Sequence, residues 1–332
     1  MGDEPTMRDV ARAAQVSVST VSRVINGERY VGSATRERVA EAVARMGFQP
    51  NALARNLRPG QTSSTLALVV EDLSNPFSAA IADGIDEVAR ARGHLVLLGS
   101  TKRDFTRERD VLQEMVRRRV DGILLVPRPE NHAQLHAEIS RWAPMVFLDR
   151  VPRGVKADAV VLDNRGGARR AAADLIARGH RRIGYLGGAS NVTTGAQRLA
   201  GYRQALRDNG IEPDSSLVRL DNHDVASAQE AAASLLAAPE PPTALFADNN
   251  RMTVGAATAV HRSGRPVEIT GFDEMEMAEL LSLPLTLVTY DAVELGRRAA
   301  ALLLDRIAGD TAKPRRVTLP TSLTRFGSHD RA

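Results

Sequence analysis

The chain has 332 residues, 43% of them apolar, and a formal net charge of +4. That length exceeds what one hydrophobic core usually spans, so two or three folding units are expected and disorder throughout is excluded. The absence of cysteine rules out disulfides, thiolate zinc sites and cysteine nucleophiles.

The opening MGDEPTMRDVARAA lacks a basic-then-apolar secretory pattern, and no apolar run approaches the roughly twenty residues that span a bilayer. A soluble cytoplasmic protein is expected. The first sixty residues hold nine arginines, no lysine and six acids. A basic segment of this kind suits phosphate contact, although a solvated surface explains so mild an imbalance as well.

Thr6, followed three residues later by Asp9, has the form of a capping box, and Val10, Ala11 and Ala14 then share one helical face. Gln15 and Val16 make a tight break. Ser17 can cap a second helix, which Asn26-Gly27 stops after Ile25. On that helix Val21, Val24 and Ile25 point inward, leaving Val18, Ser19, Ser22, Arg23 and Asn26 on a small, polar, basic outer face. Such a face suits the major groove: hydroxyls and amides bond phosphates or bases, Arg23 forks onto guanine, and Val18 meets a thymine methyl. A third helix begins near Ser33 and buries Val39, Val43 and Met46 before Gly47.

The segment from Met7 to Gly60 resembles the DNA-binding headpiece of the LacI (lactose-repressor) family, without a gap. The resemblance implies that Val18 and Ser19 read bases at the start of the recognition helix, with Arg23 a third base contact, while Thr6, Ser17, Thr20, Ser22 and Asn26 hold phosphates. For the hydroxyl residues the alternative is capping or plain exposure. PNALARNLR, residues 50–58, is too short to hold a helix alone in water. In the family this hinge helix pairs with its dimer mate and pushes a leucine into the minor groove. Leu57 occupies that position, with Asn51 and Ala54 beside the DNA, and apolar wedging of this kind kinks the duplex. Packing of Leu57 onto the regulatory region is the alternative.

Beyond a linker at residues 59–64, apolar runs alternate with helical patterns: TLALVV, HLVLLGS, DGILLVP, MVFLD, DAVVLD, then RIGYLGG, TALFADN, VEITGFD and LTLVTYD. Alternation of this kind gives parallel sheets flanked by helices, and there are enough strands for two lobes. DLSNPF, FLDR, GHRRIGYLGG, QRLAGY, ADNNRMTVGA and ITGFDE resemble the periplasmic-binding-protein-like core of the same family. The expected fold class is thus an N-terminal all-α helix-turn-helix headpiece plus an α/β two-lobed core with parallel sheets. Its expected domains are the headpiece at 1–49, the hinge and linker at 50–61, and an effector-binding and dimerisation domain at 62–325. Within that domain lobe one takes in 62–161 and 292–320, and lobe two 162–291.

Ligands on such sheets sit beyond the carboxyl ends of the strands. By the resemblance, the cleft residues fall on Asp149, Arg198, Asn249 and Asp273, with Phe77 near the stacking position. Alternating acceptors and donors around an aromatic face favour a sugar, polyol or sugar acid. Asp149-Arg150 could instead be a local ion pair, and Asn249 and Asp273 could serve only to form turns. Three departures bar transfer of one relative's effector: His223-Asp224 stands where an aromatic is common, Ala228 replaces a glycine, and HRSGRPVEITGFD is short.

GGASNVTTG lacks nucleotide-loop spacing and reads as a strand-to-helix turn. His180 reads as structural, no histidine pair has metal-ligand spacing, and no cofactor or metal is expected. The expected function is a homodimeric repressor, not an enzyme, whose affinity for a palindromic operator is set by a small effector. Two alternatives are a transport-type binding protein, against which residues 1–60 argue, and a glycosidase using Asp149 and Asp273 as acid and base.

Overall fold

The computed structural model describes residues 5–25, 30–48 and 63–327. Contacts divide the chain into two units, Met1–Ser63 and Ser64–Ala332. Asn26 and the hinge residues Asn51, Ala54 and Leu57 lie outside the described residues.

The first unit holds three helices, α1 (Met7–Ala14), α2 (Val18–Ile25) and α3 (Ser33–Met46). The capping box forms: the Thr6 hydroxyl accepts the Asp9 amide at 3.4 Å, and the Asp9 carboxylate accepts the Thr6 amide at 3.0 Å. Gln15, in a left-handed conformation at φ 51°, ends α1. Val10, Ala11, Ala14, Val21, Val39, Ala42 and Phe48 are buried together. Val24, Ile25, Val43 and Met46 are half-buried around them. Ala42 thus sits deeper than Val43 and Met46. Phe48 folds back through a Schellman turn in which its amide reaches the Val43 carbonyl at 3.1 Å, with Gly47 at φ +61°. That ring covers the helix end, where bulk alone would have placed Met46.

In the second unit, six strands build the first sheet, in the order β11-β5-β4-β3-β1-β2. They are β1 (Thr65–Val70), β2 (Leu95–Ser100), β3 (Gly122–Leu125), β4 (Met145–Asp149), β5 (Asp158–Leu162) and β11 (Arg316–Leu319), and every pairing is parallel. The run TLALVV has no polar alternation because both faces are covered. Leu66, Leu68 and Val70 meet the helices Pro76–Ala91 and Ala292–Ile307, and Ala67 and Val69 the helices Phe105–Arg117 and Ala133–Ile139.

The second sheet has the order β12-β10-β9-β8-β6-β7. Its strands are β6 (Ile183–Leu186), β7 (Val218–Arg219), β8 (Ala244–Ala247), β9 (Glu268–Phe272), β10 (Leu285–Thr289) and β12 (Ser322–Phe326). All pairings are parallel except β10 with β12, which is antiparallel. Helices Val225–Leu236 and Asn250–Ser263 cover one face, and Asn164–Ala177 and Thr193–Asp208 the other. The chain passes between the sheets three times: after β5, after β10, and between β11 and β12. The last passage is pinned by Arg170, which donates to the Thr321 hydroxyl at 2.6 Å and its carbonyl at 3.0 Å and pairs with Asp163 at 3.2 Å.

On the first sheet, the helices Pro76–Ala91 and Ala292–Ile307 touch backbone to backbone. A Cβ at Gly84 would lie 2.0 Å from the Val293 carbonyl oxygen, and one at Gly296 2.3 Å from that of Ile81. Neither obstacle is a flexible side chain, so the helices must part. Gly84→Ala is expected to cost about 3 kcal/mol, at the upper end for overpacking, read as a lowered denaturant midpoint with unchanged slope.

The departure at Ala228 is also accommodated. Ala228 is fully buried, and the facing residue is Gly255, where an added Cβ would come within 2.6 Å of the Ala228 methyl. The missing glycine is supplied from the other helix.

Candidate functional site

On α2 the side chains fall as its periodicity requires. Val21 is buried, while Val18 is 43% exposed and Ser19 and Arg23 face solvent, with Ser22 half-buried. The Ser17 hydroxyl accepts the Thr20 amide at 3.1 Å and bonds the Ser19 and Thr20 hydroxyls at 2.7 and 2.8 Å. Thr6 and Ser17 therefore act as caps here. A cap leaves a hydroxyl at a helix N-terminus, where the backbone also favours anions.

In the second unit both sheets reverse strand order beside their first strand, β1 in one and β6 in the other. Crevices open beyond the carboxyl ends of strands at such points. A cleft of about 600 Å³ lies there, between the two lobes, and Phe77, Asp149, Arg198, Asn249 and Asp273 all line it. These five residues come from well-separated segments, and the fold brings every one of them to the same cavity. A chiefly apolar hollow of about 360 Å³ adjoins it behind Gly188–Ser190, rimmed by Arg203 and Arg207. The converging charged groups are in the larger cleft.

Arg198 is the centre of the lobe-two wall. It is 5% exposed, donates to the Asn164 side chain at 2.8 Å and the Asp248 carbonyl at 2.6 Å, and pairs with Asp273 at 3.4 Å. Its guanidinium carbon lies 3.7 Å from the centre of the Phe272 ring, a cation–π contact strengthened by burial. Asp273 also accepts the Tyr290 hydroxyl at 2.7 Å and the Asn250 amide at 3.3 Å. Tyr290 meets Phe77 edge to face at 5.8 Å, giving the cleft an aromatic corner.

Asn249 is the N-cap of the helix Asn250–Ser263. Its side-chain oxygen accepts the Arg251 and Met252 amides at 3.0 and 3.1 Å, and its amide donates to Asp248 at 2.7 Å. Turn formation is thus a duty it performs while facing the cleft. Asp149 and Asp273 both take left-handed backbones, φ 65° and 77°, at the ends of β4 and β9. Aspartate tolerates this region better than most residues, and strain of this kind gathers at functional sites. Asp149 lies 3.3 Å from the Arg150 guanidinium, so the local ion pair forms too. Burial pushes the Asp149 carboxyl upward, against the pull of Arg150 and Arg198.

Further polar residues line or flank the cleft, of which Glu71, Asp72, Arg128 and Arg251 were not among those expected from the sequence. Glu71, just beyond β1, meets Arg128 at 2.7 Å and Arg150 at 2.7 and 3.0 Å. Burial raises its carboxyl, but the two guanidiniums outweigh that and hold it at about 2. Across the mouth, Arg251 of lobe two pairs with Asp72 of lobe one, the Asn250 amide donates to Asn75 at 3.0 Å, and Arg103 donates to the His223 carbonyl at 2.9 Å. The lobes are therefore latched together by direct polar contacts. His180 is buried between Thr243, at 2.9 Å, and Glu268, at 2.8 Å, in a structural network. Among the described residues no cluster of His, Asp and Glu could hold a metal ion, and no helix is long and apolar enough to cross a membrane.

Asp248, behind Asn249, is 3% exposed and accepts the Gly188 amide at 3.1 Å. Burial lifts its carboxyl to about 6, against the pull of Arg198 and the Gly188 amide. The folded chain holds this proton more tightly than the unfolded one, whose ordinary value is 3.8. The contribution is fully present below the unfolded value and lost as pH rises through about 6, on the order of 3 kcal/mol. Asp149 adds to the same slope. Asp248→Asn is expected to flatten the fall in melting temperature between about pH 4 and 6, checked by melting both proteins across that range.

Comparison with known proteins agrees with this geometry. Residues 6–51 match the lacI family of bacterial regulatory proteins, and residues 172–328 match the periplasmic binding protein-like domain. The HTH-type transcriptional regulator GalS of Salmonella typhimurium is 34% identical over 308 residues, covering 92% of this chain and 90% of that protein. The ribose operon repressor of Haemophilus influenzae is 33% identical over 325 residues, covering 96% and 97%. Among solved structures, the Lac repressor dimer bound to operator and the anti-inducer ONPF superposes with a TM-score of 0.86 at 27% identity, covering 97% of this chain and 98% of that one. The cellobiose complex of the transcriptional regulator CelR gives 0.73 at 34% identity, covering 98% and 100%. With a headpiece of three helices, a two-sheet core and relatives that match both along nearly their whole length, the chain belongs to the lacI family of bacterial transcriptional regulators.

Proposed function

We propose that the chain acts as a homodimer in the cytoplasm, repressing genes next to an inverted-repeat operator and yielding to a small sugar, polyol or sugar acid bound in the interlobe cleft. The observation that carries this reading is the convergence of Phe77, Asp149, Arg198, Asn249 and Asp273 on one cavity of about 600 Å³. Carboxylates and a guanidinium bracket adjacent hydroxyls there, and the Phe77–Tyr290 corner receives the apolar face of a ring. Relatives solved with operator, with ONPF and with cellobiose support the same pairing of DNA and sugar-like ligand.

On this reading Val18, Ser19 and Arg23 read bases, while Thr6, Ser17, Thr20, Ser22 and Asn26 hold phosphates. Asn51, Ala54 and Leu57 of the hinge, residues 50–61, engage the minor groove. The domain at 62–325 binds effector and dimerises. Effector changes how the lobes close about the three crossings, and through them the spacing of the paired hinges. The coupling is reciprocal and typically 1 to 3 kcal/mol. The cleft binds and releases its ligand unchanged, as a regulator's does, with no cofactor.

The test is operator selection from random duplexes, followed by titration of the selected duplex with a panel of sugars and sugar acids. An inverted repeat released by one compound class is the expected result. No sequence preference at low salt would defeat the operator half, and turnover of a bound sugar would revive a glycosidase.

A further inference from the structure

Both walls of the cleft carry charged groups of both signs. On lobe one, Glu71 and Asp149 face Arg103, Arg128 and Arg150; on lobe two, Asp221, Asp248 and Asp273 face Arg198 and Arg251. The focus of the lobe-one wall is Glu71 with two guanidiniums. Arg150 grips both carboxylate oxygens side by side, at 2.7 and 3.0 Å, and Arg128 takes one of them at 2.7 Å. This planar fork is the arrangement by which arginine recognises a carboxylate. Here both cations meet on Glu71, with Asp149 at 3.3 Å from Arg150 and Glu130 at 3.9 Å from Arg128 as more distant partners. The buried Nε atoms of both arginines make no hydrogen bond and face these two carboxylates only as ion pairs.

The cations are also anchored from behind. The Arg128 backbone amide donates to Glu108 at 3.0 Å, and Glu108, fully buried, bonds His132 at 2.7 Å. Arg150 donates in addition to the Pro127 carbonyl at 3.3 Å. Glu71, by contrast, is held on its side-chain oxygens by these arginines alone, one residue beyond the end of β1. Arg128 is thus held at its backbone and the Arg150 guanidinium by a second acceptor, so both arginines keep an anchor that does not depend on Glu71.

Resting on the reading of the cleft as an effector site and narrowing it, we propose that Arg128 and Arg150 form a carboxylate seat for a sugar acid, filled by Glu71 when no effector is bound. The effector's carboxylate takes the place of the Glu71 carboxylate between the guanidiniums, and its hydroxyls turn toward Arg198 and Asp273 on the lobe-two wall. Glu71 swings into the solvent-filled part of the cleft. The exchange keeps the number of charge-assisted hydrogen bonds on the arginines. A neutral sugar cannot make it, and meets a cleft still narrowed by Glu71.

The experiment has two arms on the full chain. Calorimetric titration compares D-gluconate and D-galacturonate with D-glucose, D-galactose and glucose 6-phosphate. Melting curves of Glu71→Ala are taken in sodium acetate and in sodium chloride of equal ionic strength. The expected results are at least tenfold preference for a sugar acid, loss of most of that preference in Arg128→Met, and a melting temperature of Glu71→Ala that acetate raises and chloride does not. Should Glu71→Ala fail to fold, Glu71→Gln, which keeps the shape, is expected to bind the sugar acid at least threefold more tightly than the wild type. Equal affinity for neutral sugars, or a preference for the phosphate ester, overturns the seat, as does a Glu71→Ala protein indifferent to acetate. If no sugar binds while acetate still rescues Glu71→Ala, the carboxylate seat stands and the sugar half of the functional reading falls.

Discussion

Arg198→Met is expected to lose effector response altogether, with affinity reduced about a hundredfold or more, while operator binding persists and can no longer be released. Arg198 joins Asn164, Asp248, Asp273 and the Phe272 ring at the centre of one wall. A ligand hydroxyl placed there loses its main donor, and a hundredfold loss corresponds to about 2.7 kcal/mol. The same change leaves the 8%-exposed Asp273 carboxylate without its cation, and breaking a buried pair from one side costs about 3 to 5 kcal/mol. Stability and response therefore fall together. Denaturant unfolding checks the first, and operator titration with and without effector the second. Release at the wild-type effector concentration would remove Arg198 from the site.

The second large effect belongs to Arg23. Arg23→Ala is expected to weaken operator binding by about 1 to 3 kcal/mol at each half-site and to relax preference at one base pair of each. The headpiece should keep its stability, because Arg23 lies on the solvent side of α2, opposite Val21. Ser17→Ala is the contrast: it removes the hydroxyl that caps α2 and is expected to cost about 1 kcal/mol of headpiece stability. Titration against duplexes substituted at each base separates the two roles. An Arg23→Ala loss uniform across all duplexes would make that residue a phosphate contact.

Local order was legible in the sequence. The capping box at Thr6 and Asp9, the stop at Gln15 and the two-faced burial of TLALVV each depend on residues within a few positions of one another. Phe77, Asp149, Asn249 and Asp273 were legible in another way, because each stands just past or at the end of a strand that must face the crevice, whereas Arg198, inside the helix Thr193–Asp208, was marked by the family resemblance alone. Glu71 and Arg128 were not legible. They lie 57 residues apart, and nothing in either neighbourhood marks a pairing that exists only where β1 and β3 adjoin. Asp248 was hidden beside Asn249, since a single strand end cannot tell which of two polar residues turns inward. The short strands β7, β11 and β12 escaped for a related reason. With two to five residues each and half-exposed side chains, they carry little periodicity of their own and are strands only because a neighbour's edge is waiting. The antiparallel placement of β12 follows from the last crossing.

The interleaved build of the two lobes also sets an order of events at the ribosome. The first five strands of sheet one are finished by Leu162, yet the helix Ala292–Ile307, which covers Leu66, Leu68 and Val70, is made only after most of lobe two. At about 5 to 20 residues per second, that leaves the sheet face with only the helix Pro76–Ala91 over it for roughly 7 to 30 s in each round of translation. Lobe one is begun first and finished almost last, so the nascent chain has a long interval in which a chaperone, or another unfinished copy, can reach the face that the final helix is meant to close.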